Sequence, residues 1–272
     1  MSKFKLYYSK KEQWQFALTM VIYLIFAGFT LNLAFSQSSI IESIPFIIIL
    51  VVFLGSSLWS EYLKYLFKSS IHTLTIQCNP KEALTIVDSL IKKDIFKSYQ
   101  LSAFMLKCLT YLDMIEYNEL LSYLKTNEDK FNHKDKVLLT HYALFRTYAE
   151  LNDKKQMKEE YSKLQELKNL SVKGKKVSPL FSYEDIDAQY HLVTKQPKKS
   201  WLALQRSHVD YMNSREQLTH YVLRVQCELA LENHTKAMFY FEKMNTIPGG
   251  EILKNLCRNY LEENHETRTK SR

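Results

Sequence analysis

Between Glu42 and Glu61 the chain runs for eighteen residues without a charge, SIPFIIILVVFLGSSLWS, and eleven of them are Ile, Leu, Val or Phe. At about 1.5 Å per helical residue, such a run nearly covers a hydrocarbon core of roughly 30 Å. Its apolar side chains favour insertion by roughly −3 to −7 kcal/mol before Ser, Gly and Pro offset part of that. A second uncharged run precedes it, the 29 residues 13–41. That is longer than the roughly 7–15 apolar residues of a signal peptide, and no small-x-small cleavage site closes it. The sequence therefore predicts two transmembrane helices, over about 14–36 and 43–63, with Pro45 in the first turn of the second. A buried helical hairpin of a soluble protein is the alternative.

Charge sets the expected orientation. Lys3, Lys5, Lys10 and Lys11 precede the first run and Lys64 and Lys68 follow the second, whereas the connection 36–43 carries only Glu42. By the positive-inside rule both ends lie in the cytoplasm, and Trp14 and Trp59 fall where indoles prefer the interface. The expectation is an integral protein of a plasma membrane, bacterial in type, with a cytoplasmic domain. Three segments follow: 1–68 for the N-terminal stretch and both spans, 69–263 for the domain, and 264–272 for a basic tail. The net charge of +8 permits anionic lipid or nucleic acid as a partner, but part of the excess is these membrane-flanking lysines, so nucleic acid is disfavoured.

Beyond Lys68 the pattern becomes amphipathic, with apolar residues at three and four spacing, short polar breaks and almost no β-type alternation. It reads as all-α. One start is explicit: Asn79 caps, Pro80 takes the first helical position, Glu82 lies in the first turn, and Ala83, Val87 and Leu90 share a face. Similar short helices recur in MIEYNELLSYLK, NDKKQMKEEYSKL, KQPKKSWLALQRS and ENHTKAMFYFEKM. Placing Ala83, Leu120, Met157, Trp201 and Ala237 in one register gives spacings of 37, 37, 44 and 36. The long one coincides with the basic stretch SVKGKKVSPLFS at 171–182, an expected insertion of about seven residues. Periods of this size indicate helical hairpins stacked on one another. Residues 60–77 serve as the first helix of the first hairpin, so the second span is expected to run into the array with little or no linker. An irregular helical bundle is the alternative.

On these residues the chain resembles the tetratricopeptide-repeat superfamily over about 69–245. The best-matched unit has Leu144 and Tyr148 on a first helix, Asn152 and Asp153 at the turn, and Met157, Tyr161 and Leu164 on the second. The last has Tyr221, then Ala237, Phe241 and Met244, followed by Pro248. No repeat carries the family's first-helix glycine. The resemblance implies a right-handed α-solenoid of about five hairpins, capped by a C-terminal helix at 251–263, with Gly249 and Gly250 ending the helix before it. It also implies peptide or protein binding on a concave face lined by first helices, where Tyr142, Arg146, Glu150, Tyr190 and Gln226 would point.

Little else in the sequence points to chemistry. The eight histidines form no H-E-x-x-H pair, no glycine-rich loop follows a strand, and no nucleophile elbow or kinase signature is present, so no catalysis, metal or cofactor is expected. Cys78, Cys108, Cys227 and Cys257 are scattered and fit reduced structural thiols. The lysine clusters 173–176 and 195–199 are candidate contacts for anionic lipid. The leading expectation is a membrane-anchored adaptor that docks a protein or peptide at the inner membrane face. The alternative is an accessory, regulatory or immunity-like subunit of a transporter or other integral complex, acting through its transmembrane hairpin.

Overall fold

The structure is a computed structural model and describes residues 7, 9–128, 134–168, 171–172, 175–176 and 181–270. It is helical throughout, apart from a two-residue antiparallel pairing of Ser171–Val172 with Lys175–Lys176. Most of the expected insertion at 171–182 lies outside the described residues.

The apolar runs form α1 (Lys10–Phe35) and α2 (Ile40–Thr75), of 26 and 36 residues. Ser9 and Ser39 cap them, each accepting from the N–H three residues on. Both helices are long and apolar enough to span a membrane, and only 6% of each apolar window is buried in the protein. Apolar side chains that are not buried in the protein must be covered by something else. The two helices touch along their length, through Phe26 on Phe53 and through a hydrogen bond from Ser43 Oγ to Ala34 O of 2.6 Å. Glu12 of α1 meets Lys68 of α2 at the far end.

One boundary differs from the sequence reading. Because α2 starts at Ile40, Pro45 sits in its second turn rather than the first, where its missing N–H leaves one helical hydrogen bond unmade. No break occurs near Lys68, and α2 continues unbroken to Thr75. The apolar run and the first helix of the first pair are thus one continuous helix.

From α2 the chain folds as successive helical pairs. α3 (Pro80–Lys93) packs on α2; α4 (Gln100–Met114) pairs with α5 (Tyr117–Thr126), α6 (Lys134–Glu150) with α7 (Lys154–Leu167), α8 (Tyr183–Val193) with α9 (Pro197–Gln205), and α10 (Ser214–Ala230) with α11 (His234–Asn245). A last helix, α12 (Glu251–Lys270), follows.

The turns between partners repeat closely. Each second helix is entered through a left-handed residue followed by the N-cap: Cys78, Ile115, Asn152, Lys195 and Glu232, with φ between 51° and 64°. Their spacings are 37, 37, 43 and 37. None is glycine. At Ile115, which is β-branched, this conformation costs about 1–2 kcal/mol. Four residues after each N-cap lies a side chain at most 1% exposed: Ala83, Leu120, Met157, Ser200 and Ala237. The register inferred for the fourth pair was therefore off by one. Ser200 fills the buried position, Trp201 beside it is only partly buried, and the extra length is six residues rather than seven.

The first helices α2, α4, α6, α8 and α10 contact one another in sequence, and α10 returns to contact α2. The last first-helix thus meets the first one, and the array closes on itself. Three features make the closure. Cys78 in the α2–α3 turn packs with Leu218, Val222 and Val225 of α10. Gly250 N donates to Cys78 O at 3.0 Å. Arg215 of α10 forms a bidentate pair with Asp113 of α4, at 2.5 and 2.8 Å. Gly249 and Gly250, expected only to end a helix, both have φ +72° and seat the chain against Gln77 and Leu218. The C-terminal helix α12 packs on the last pair, α10 and α11, and also reaches α4.

Candidate functional site

One face of α6 is drawn inward because Tyr142, Arg146 and Glu150 recur every four residues. Around them the ring brings Asp113 from α4, Tyr117 from α5, Gln189 from α8, Arg215 and Gln226 from α10, and Tyr260 from α12. Arg146 is partly buried. Among the described residues it makes no hydrogen bond or ion pair, and its Nε is buried and unsatisfied. Burial alone would pull a guanidinium's pKa down. The acidic groups around it, Tyr142 first and then Glu150, Tyr117 and Asp113, outweigh that, and the pKa is raised.

Glu150 lies on the other side of the balance. Burial raises its pKa above the ordinary carboxylate range, against the lowering effect of Arg146 and of Gln189, whose Nε2 donates to it at 2.9 Å. The Gln189 Oε1 has no partner. Tyr260 hydrogen-bonds Gln226, and its phenol is pushed up to about 12, first by burial and then by the Glu150 charge. These side chains form a polar cluster around the Arg146 guanidinium, with the Glu150 and Asp113 carboxylates as its nearby opposite charges.

The five sequence-inferred residues do not act as one surface. Arg146, Glu150 and Gln226 converge on Tyr260. Tyr142 stacks face to face on Phe181 at 3.9 Å and lines a neighbouring cleft of about 350 Å³. Arg215, Tyr183, His208 and Tyr211 also line that cleft. Tyr190 stacks on Tyr161 at 3.9 Å, so its ring is used internally. The sequence reading missed Asp113, Tyr117, Gln189, Arg215 and Tyr260. A carboxylate at Asp113, in register with the buried Ala103, Leu106 and Leu109, signals an ion pair, but it does not say with which cation.

A second buried network looks like hydrolytic machinery and is wired otherwise. Asp185 Oδ1 accepts from His220 Nδ1 at 2.8 Å and from Ser207 Oγ at 3.0 Å, while Arg224 Nε donates to His220 Nε2 at 3.2 Å. The arginine occupies the lone pair a general base needs, and the serine is bound to the acid rather than to the imidazole. The network ties α8 to α10. The four thiols are buried and pushed up, Cys78 to about 11 and Cys108 and Cys257 to about 12, chiefly by desolvation. They are held as unreactive SH groups. Of the lysine clusters, 173–174 lie outside the described residues, Lys195 forms the left-handed turn before α9, and Lys198 and Lys199 lie in the first turn of α9.

No family model, curated protein or solved structure matches the chain.

Proposed function

We propose that the chain is a membrane-anchored, non-enzymatic adaptor. Two spans hold an array of five helical hairpins, similar in plan to tetratricopeptide repeats, at the cytoplasmic face, where its inner recess takes an anionic segment of a peptide or protein. One observation carries the reading: the partly buried Arg146, close to Tyr117, Tyr142 and Tyr260, has no hydrogen-bond partner among the described residues. The recurrent turn, left-handed residue then N-cap at spacings of 37, 37, 43 and 37, supports the repeat plan. The apolar, outward-facing α1 and α2 support the anchor. Anchoring raises local concentration without adding contacts.

Capture from membranes with the full-length protein, crosslinked in cells, tests this. The wild type recovers a saturable partner, and Arg146→Ala lowers the recovery by about tenfold or more, the worth of a charged hydrogen-bonded contact. Equal recovery by Arg146→Ala would remove the recess from the account. A second reading, an accessory subunit acting through the hairpin, draws on Gly28 and Gly55. A Cβ added at either meets nothing within 4 Å, so neither glycine is used between α1 and α2 and both are open to another helix. In the same assay, exchanging both spans for an unrelated hairpin retains the partner under the adaptor reading and loses it under the subunit reading.

A further inference from the structure

The loop between α3 and α4 presents its apolar side chains to solvent in a fixed shape. Ile95 is 74% and Phe96 77% exposed, and Ile91 on the last turn of α3 is 42% exposed. The exposure is not slack. The Asp94 carboxylate accepts from Ser98 N at 3.0 Å and Tyr99 N at 2.6 Å, and Lys97 adopts φ 58°. The turn is tied through its acid and aims its two apolar residues outward.

Helix geometry sets the height of this turn. α2 leaves the apolar run at Trp59 and descends sixteen residues to Thr75, about 24 Å. α3 then climbs back along it for about 20 Å, from Pro80 to Lys93. The contacts agree: Trp59 Nε1 donates to Lys93 O at 3.3 Å, Lys93 Nζ donates to Tyr62 Oη at 2.5 Å, and the Trp59 and Tyr62 rings lie 5.7 Å apart. The turn therefore stands level with the indole where the uncharged run ends. Lys92, Lys93 and Lys97 flank it.

We propose that the 94–99 turn is a membrane-dipping loop: Ile95 and Phe96 insert at the boundary of headgroups and acyl chains of the bilayer crossed by α1 and α2, and Lys92, Lys93 and Lys97 meet anionic headgroups. The inference rests on reading α1 and α2 as spans. An apolar pair with cationic flanks is the composition that binds this boundary, and aromatic residues mark its depth. The loop gives the domain a second point of attachment beside the rod of α2, which fixes its rotation about the rod as well as its height.

Depth-dependent quenching tests it. The full-length protein is reconstituted in vesicles containing phosphatidylglycerol and nitroxide lipids, with an environment-sensitive fluorophore on a cysteine at Phe96, at Val52 in mid-span, or at Lys81 at the far end of α3. A nitroxide near the headgroup lowers emission at 96 by about half or more, while leaving 81 unchanged, and a nitroxide near the bilayer centre quenches 52. Quenching at 52 with none at 96 overturns the membrane-dipping loop and keeps the spans. No quenching at 52 removes the spans, and the loop proposal with them. Repeating the measurement with neutral phosphatidylcholine alone reads the lysines: weaker quenching at 96 supports the charge contribution, and equal quenching overturns it.

Discussion

Gly249→Ala lowers the stability of the folded chain by about 2–5 kcal/mol, the sum of a left-handed backbone and an overpacked contact. At φ +72° an alanine is strained wherever it points, and here its Cβ would stand 1.9 Å from Gln77 O. That oxygen is backbone in the α2–α3 turn and has no rotamer to escape into. The substitution therefore pushes the C-terminal segment off the N-terminal pair and loosens the Gly250 to Cys78 hydrogen bond. Thermal or denaturant unfolding of the detergent-solubilised protein reads the loss, and hydrogen exchange at Gly250 locates it. Gly28→Ala and Gly55→Ala are the internal controls, since a Cβ at either meets nothing. Wild-type unfolding of Gly249→Ala would mean that the ring is not closed at this point.

The other large effect belongs to Asp113 and Arg215. Both are buried, at 9% and 6% exposure, and are joined by two hydrogen bonds across 102 residues of chain. Burial acts to lower the Arg215 pKa, and the Asp113 charge and hydrogen bond more than restore it. Removing one partner leaves the other charged, desolvated and alone, so Arg215→Ala and Asp113→Ala each cost about 3–5 kcal/mol. Arg215→Lys also falls short of wild type, because an ammonium cannot reproduce the fork on both carboxylate oxygens. Removing both costs less than the two single losses added, and a double-mutant cycle on unfolding free energies measures the difference. Strict additivity would show that the two side chains do not meet.

These two contacts mark the limit of what the sequence discloses. Local signals were legible: the uncharged runs, the Asn79 cap with Pro80 behind it, and the recurrence of Ala83, Leu120, Met157 and Ala237 all reflect chemistry within one helix or turn. At the fourth pair the rule failed because the buried position holds Ser200, a small polar residue beside a conspicuous Trp201, and hydrophobicity pointed to the wrong neighbour. The closure was illegible for a different reason. A glycine pair reads as a helix end, and a lone acid or base reads as surface. Only the fold shows that Gly249 meets Gln77 and that Asp113 meets Arg215.

The inner recess was half legible for the same reason. Four-residue spacing put Tyr142, Arg146 and Glu150 on one face, as they are. It gave no sign that Tyr190 would be consumed by stacking on Tyr161, or that α12 would bring Tyr260 opposite Gln226. The continuity of α2 through Lys68 follows from its sequence, since neither Gly nor Pro interrupts residues 56–75.

Everything proposed for the recess and the dipping loop depends on which side of a membrane each part occupies. The direct measurement is labelling of intact cells with a membrane-impermeant maleimide, using the full-length protein with a cysteine at Ser38 in the α1–α2 connection or at Lys81 at the start of α3. The four native thiols are buried and protonated and stay silent. Position 38 is labelled from outside, and position 81 only after the membrane is permeabilised. Labelling of both positions from the same side would contradict this arrangement.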